Sequence, residues 1–245
     1  VKIENSCAQR FCETLKKNKN LRELKLHWSL SEEDNDVQLL ADLLEVNLTL
    51  KHLSIVEYLD DDVADRLIKS LPYNKTLKSL TIRIDELDVL KKFSEYLQHN
   101  QSIRSIELDV DDQHLVDNMH ILAPLLSNNT SITQLSTPIS SACVADLFRS
   151  LKFNTTLSQL KFTTYNRSFL SMRHLWLAKL RDLLMVNTSL NTIILPDLPD
   201  DIVQVLNRNY LRQQQDINIT ISAIRAIARK SYVFAEMLPL EIWSM

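Results

Sequence analysis

Side chains able to do acid–base, nucleophilic or metal chemistry are sparse in this 245-residue chain and poorly grouped. None of the six histidines, His27, His52, His99, His114, His120 and His174, stands in H-E-x-x-H or another zinc spacing. His27 and His52 fall on successive segments of strand character, where a two-histidine metal or acid–base pair is one reading and plain surface residues the simpler one. Cys7, Cys12 and Cys143 are too few for a disulfide framework and lack partners for a zinc site. They read as small buried apolar residues of a reducing compartment. Cys143 has no histidine near it in sequence to activate it as a nucleophile. The chain contains no glycine, which removes every glycine-rich phosphate cradle. Acidic runs occur at Glu32-Glu33-Asp34, Asp60-Asp61-Asp62, Asp111-Asp112 and Asp200-Asp201. They lack the spaced ligands and central glycine of a calcium loop. Each precedes a helical stretch, where carboxylates meet free N–H groups at the positive end of the helix dipole. No catalysis, no metal and no cofactor is expected.

The elements that must carry any function are set by a repeat. Seven segments share the template Leu-x-x-Asn-x-x-[Leu/Ile]-x-x-[Leu/Ile]-x-x, the last position apolar in all but one. They start at Leu15, Leu44, Leu71, Leu97, Leu126, Leu151 and Leu184, and place Asn18, Asn47, Asn74, Asn100, Asn129, Asn154 and Asn187 in register. Most spacings fall in the twenties, the period of leucine-rich repeats. The L-x-x-L-x-L portion ends in period-two alternation and predicts a short strand, as in Leu24-Lys25-Leu26 and Leu80-Thr81-Ile82. Before it lie helical stretches such as 37–46 and 63–71, with apolar residues at i, i+3, i+4 and i+7. The helix must reverse into the strand, and in a chain without glycine the aligned asparagines are expected to take the left-handed conformation there. Asn-x-Thr/Ser sequons arise at Asn47, Asn74, Asn129, Asn154 and Asn187 as a by-product, with Ser or Thr capping locally rather than signalling glycans. Lys16, Lys17, Lys19, Lys69, Lys75, Arg149 and Lys152 collect at the same corner, as helix polarity favours.

Net charge is −3 and the isoelectric point about 6.1, so composition favours neither nucleic acid nor an anionic membrane. No run of 18 uncharged apolar residues predicts a transmembrane helix. The opening Val1-Lys2-Ile3 fits the strand portion of an earlier repeat, as in a piece cut from a longer chain. An eighth template starts at Leu206 with Asn209, but Arg212 and Gln215 occupy its apolar positions. The solenoid is therefore expected over 1–209 and a helical cap over 210–245, with 219–238 as one amphipathic helix.

The repeats resemble the ribonuclease-inhibitor-like class of leucine-rich repeats over roughly 1–210. That resemblance implies an α/β, right-handed solenoid or horseshoe, parallel strands on the concave face and helices on the convex face, and a role in protein binding. The family's asparagine ladder after the strand is replaced here by Ser29, Tyr58, Asp85, Asp111, Ser140, Tyr165 and Leu198. The Asn-x-[Thr/Ser/Lys]-[Leu/Ile] corner, the absence of glycine and R-A-I-A-R followed by L-P-L-E-I-W are similar to repeat proteins of intracellular bacterial pathogens. Those are commonly effectors secreted into the host cytoplasm. LPLEIW (238–243) also resembles the opening of an F-box, which would make the chain the substrate-recognition arm of a ubiquitin ligase.

Residues between the strand leucines should face the concavity. The candidate partner-binding residues on that face and its strand-exit rim are Lys25, His27, Trp28, His52, Tyr58, Arg83, Glu107, Asp109, Lys161 and Tyr165. Pro138 is assigned to the same face by alternation. The expected partner is another protein, with no nucleic acid, no membrane insertion and a monomeric chain in a reducing cytosol.

Overall fold

A computed structural model describes residues 8–27, 36–56, 61–110, 116–165, 172–195 and 198–217. Helix α1 (Ala8–Lys17) leads into β1 (Glu23–Leu26), α2 (Asp36–Val46) into β2 (His52–Ile55), and α3 (Asp61–Ser70) into β3 (Ser79–Arg83). Helix α4 (Leu87–Leu97) precedes β4 (Ser105–Asp109), and a 3-10 turn (Met119–Leu122) with α5 (Ala123–Asn128) precedes β5 (Gln134–Ile139). Helix α6 (Val144–Leu151) precedes β6 (Gln159–Tyr165), α7 (Arg173–Val186) precedes β7 (Thr192–Ile194), and α8 covers 200–217. The strands form one seven-stranded sheet in sequence order, every pair parallel. Parallel neighbours need a crossover, and the helix of each repeat supplies it, so strands line one face and helices the other. The result is a leucine-rich-repeat solenoid.

Strand register explains the leucines. Leu24, Leu53, Leu80, Ile106, Leu135, Leu160 and Ile193 are Cα partners in one continuous row, and all are buried. A second buried row runs through Leu26, Ile55, Ile82 and Leu108, and Thr137 pairs with Phe162, both also buried, between β5 and β6. Helices close the core from the other side: α4 buries Val89, Leu90, Phe93, Ser94 and Leu97 while Lys91 and Glu95 stay exposed. Of the acidic residues expected ahead of helices, Asp61 opens α3 and Asp200 opens α8. Asp201 also clamps α8 to α7, accepting from Arg181 Nε at 2.8 Å and Nη2 at 3.3 Å. That guanidinium holds the Asp201 carboxyl below the usual carboxylate range.

Two corner asparagines depart from the expectation of a left-handed backbone. Asn129 has φ −77° and ψ 129°, and Asn187 has φ −85° and ψ 115°, both extended rather than left-handed. Their side chains do the turning instead. Asn100 Oδ1 accepts the amides of Ser102 and Ile103, both at 2.8 Å, and the same i+2, i+3 pattern holds at Asn18, Asn47, Asn74, Asn129 and Asn154. Meanwhile Nδ2 donates to the leucine carbonyl three residues before the preceding asparagine: Asn47 to Leu15, Asn100 to Leu71, Asn129 to Leu97, Asn187 to Leu151. From Asn47 to Asn187 these asparagines are at most 6% exposed, so each rung is buried, where an unmade bond is most expensive.

The sequon hydroxyls form a second rail. Thr49, Thr76, Ser102, Ser131, Thr156 and Ser189 each donate Oγ to the backbone carbonyl of the preceding corner asparagine, at 2.8–3.5 Å. Asn-x-Thr/Ser is therefore an inter-repeat clip, and not merely a local cap. Among the described residues the ladder thus sits at the helix-to-strand corner. At the strand exit Ser140 bonds locally, its Oγ accepting the Ala142 amide at 3.2 Å.

At the last rung Asn209 lies inside α8, which spans both sides of position 209. Its Nδ2 still reaches the carbonyls of Asn187 and Leu190, at 3.2 and 2.9 Å. Its Oδ1 is buried without a hydrogen-bond partner among the described residues. In a continuing helix the amides two and three residues on belong to the helical ladder, so the corner geometry is lost. Helix 219–238 and LPLEIW lie outside the described residues.

Candidate functional site

The concave face is a grid whose rows run across the strands. One row is Glu23, His52, Ser79, Ser105, Gln134, Gln159 and Thr192; the next is Lys25, Ser54, Thr81, Glu107, Ser136, Lys161 and Ile194. Glu23, Lys25, His27, His52 and Asp109 are exposed, and Arg83, Glu107 and Lys161 are half-buried. The alternation predicted from the leucines therefore delivers seven of the candidates to one surface, with Glu23 beside them. Trp28 and Tyr58 lie outside the described residues. Tyr165 ends β6, its backbone paired with Ile139.

Register also decides which candidates meet. His52 is the Cα partner of Glu23, four residues along the strand from His27, a separation of about 13 Å at ~3.3 Å per residue. The two histidines do not form a pair. Arg83 and Asp109 are Cα partners, and Arg83 Nη1 lies 3.6 Å from Asp109 Oδ2. Beside them Thr81 Oγ1 donates to Glu107 Oε2 at 3.3 Å. The centre of the face is thus an internally paired strip, flanked by Lys25 on β1 and Lys161 on β6. A small hollow of about 190 Å³ opens among Glu23, His52, Ser54, Ser79 and Thr81.

Pro138 corrects the alternation. It is buried, and the register of β5 with β6 slips between Thr137 and Ile139. Proline has no N–H for a ladder, and a bulge is where a strand accommodates it. Sequence alternation alone could not locate that slip, although a proline within a strand pattern was its signal.

Chemistry on this surface is limited. Among the described residues no three His, Cys, Asp or Glu side chains gather as a metal site. Cys12 and Cys143 are both buried. Burial pushes the Cys143 thiol up, against the opposing pull of Ser140, whose carbonyl lies 3.5 Å from Sγ. A raised thiol is a poor nucleophile. Sequence reasoning also passed over the helical face, where α4, the 3-10 turn, α5 and α6 enclose a groove of about 620 Å³ lined by Ser94, Ile121, Arg149 and Phe153 among others.

No family model matches the chain, and no curated protein matches it. Among solved structures it is similar to the actin-binding site 2 of leiomodin-1, with TM-score 0.45 and 20% identity, covering 80% of this chain and 99% of that one. It is also similar to the tropomodulin C-terminal domain of Caenorhabditis elegans, with TM-score 0.45 and 15% identity, covering 62% of this chain and 93% of that one. Likeness at this level transfers no partner to the present chain.

Proposed function

We propose that this chain is a non-catalytic scaffold that binds another protein across its concave face. The observation that carries the reading is the polar grid itself. It presents exposed or half-exposed side chains in register over six successive strands, while the buried rows and the corner ladder hold the structure. Such a surface has the breadth a protein partner needs and, among the described residues, no assembled catalytic group. The finer reading is an effector working as a monomer in the reducing cytosol of a host cell. The glycine-free Asn-x-[Thr/Ser/Lys]-[Leu/Ile] corners support the first part, and the sparse, odd count of three cysteines the second.

The experiment is affinity capture from eukaryotic lysate with mass spectrometry, comparing the parent with a Lys25→Glu/Lys161→Glu variant. Arg83 is left intact because a glutamate there would face Asp109 across the register. Proteins retained by the parent and lost by a variant with unchanged circular dichroism are the expected result, followed by slower association in surface plasmon resonance. Identical capture by both proteins refutes the concave site.

A further inference from the structure

The corner rim differs in charge from the rest of the molecule. Its seven segments, 15–22, 44–51, 71–78, 97–104, 126–133, 151–158 and 184–191, hold nine of the 28 Lys and Arg residues. They hold a single one of the 31 Asp and Glu residues, Glu45. A chain of net charge −3 therefore carries one basic edge. Part of that charge is structural: Arg22, Lys78 and Arg104 donate to the carbonyls of Thr49, Ser102 and Ser131 in the next corner. Lys16 pairs with Glu13 and Asp42. Lys17, Lys19, Lys75 and Lys152 are exposed and make no contact between repeats that the ladder depends on.

The same rim exposes large apolar side chains. Leu48 is 70% exposed, Tyr73 68%, Phe153 78% and Met185 82%, with Val46 and Val186 also exposed. Because the asparagine ladder stacks the corners, the residues before each asparagine form one row, with Lys17, Val46, Tyr73, Phe153 and Val186 among them. Lys19, Leu48 and Lys75 stand in the row after it. Six inter-strand steps of ~4.8 Å make this edge at least about 29 Å long.

We propose that the corner rim is a peripheral docking edge for an anionic lipid surface. Apolar tips and ammonium groups lie side by side on the first three corners and again at Lys152 and Phe153, with His99, Gln101, Asn128 and Thr130 between the two groups. The tips would enter the acyl boundary while lysine stems keep their charges among the headgroups. The apolar residues are strung along an edge rather than gathered into a central hot spot, which suits a fluid layer better than a shaped protein partner. The exposed guanidinium groups of Arg22 and Arg104 are engaged with the next corner's carbonyls, and the other exposed cations named are lysines, point charges without the bidentate fork that reads a particular phosphate or carboxylate. Of the six apolar tips only Tyr73 and Phe153 carry a ring, three corners apart, which makes no continuous platform for stacking nucleobases. Docked by this rim, the solenoid stands on edge and its concave face stays open.

Cosedimentation tests the proposal at low salt, with vesicles of equal parts phosphatidylcholine and phosphatidylserine and with phosphatidylcholine alone. The parent should pellet with the mixed vesicles and not with the neutral ones. Lys17→Gln/Lys19→Gln/Lys75→Gln should weaken partitioning about a hundredfold, at roughly fivefold per lysine. Leu48→Ser/Tyr73→Ser/Phe153→Ser should weaken it by about tenfold or more with the charge untouched. Circular dichroism checks folding, and the three single serine variants replace the triple if it unfolds. A folded parent that stays in the supernatant overturns the proposal. So does binding lost with the lysines but indifferent to the apolar changes, which marks a site for nucleic acid or an acidic protein. Equal binding to neutral vesicles overturns it as well.

Discussion

Asn74→Gly distinguishes two uses of a corner asparagine. If Asn were needed for left-handed backbone, glycine would be neutral or mildly stabilising, because it enters that region freely. The ladder predicts a large loss. Asn74 is 2% exposed; its Oδ1 accepts the amides of Thr76 at 2.9 Å and Leu77 at 2.7 Å, and its Nδ2 donates to the Leu44 carbonyl. Truncation leaves the buried Leu77 N–H without an acceptor and removes the donor from a carbonyl in the preceding repeat. The Thr76 amide is only partly buried and can recover a water. Each stranded buried group costs about 1–3 kcal/mol, and the freer unfolded chain of glycine adds about 0.5–1 kcal/mol. The expected total is about 3–5 kcal/mol, a large share of the 5–15 kcal/mol or so that holds a typical domain.

Urea unfolding followed by far-UV circular dichroism measures it. Thr76→Val serves as the graded control, since it removes the Oγ1 bonds to the Asn47 and Leu50 carbonyls, both at 3.2 Å, and a longer one to Asn74 Oδ1 at 3.4 Å but leaves both amide bonds of Asn74, and should cost about 1 kcal/mol. Asn74 also couples its repeat to its neighbour, and a solenoid's stability is close to a sum of such interfaces. The transition of Asn74→Gly should therefore broaden as well as shift. A glycine variant with the parent's midpoint, or a higher one, refutes the ladder as the asparagines' purpose.

Leu80 is fully buried and in register between Leu53 and Ile106, so Leu80→Ala should cost about 2–5 kcal/mol in the same assay, against about 0.5 kcal/mol or less for Leu48→Ala on the exposed rim. Asp65 lies 2.6 Å from Lys69 Nζ and 3.3 Å from Lys92 Nζ. Burial pushes its carboxyl up, but the two ammonium groups outweigh that and leave it below the ordinary 3.8. A depressed folded value means the pairing stabilises fully above the ordinary carboxylate range and is lost as pH falls through the folded value. Asp65→Asn should then lower the melting temperature at neutral pH and converge with the parent in acid. A difference that is constant with pH contradicts the assignment.

How much of this was legible in the sequence depends on whether a position is decided by pattern or by geometry. The leucine rows are pattern: period two within the strand and a repeat near 27 residues put Leu80 beneath Leu53 without coordinates. The asparagines are geometry. A left-handed cap and a side-chain clip both select Asn in a chain without glycine, so residue type alone leaves them equal. The separating signal lay two residues on, where six of the seven corners carry Ser or Thr and the first carries Asn20. A local cap does not require that hydroxyl in repeat after repeat; a rail from each corner to the one before it does. Pro138 shows the limit from the other side, since a single slip of register moves a residue from the open face to the core while the alternation reads on undisturbed. Charge behaves likewise. A net −3 averages a basic edge against acidic residues elsewhere, and the average conceals both. Only when the ladder stacks the corners do Lys17, Lys19 and Lys75, separated by up to 58 positions, become neighbours of Val46, Leu48 and Tyr73 on one line. The asparagines that hold the fold together thereby decide which side chains a partner can meet at once.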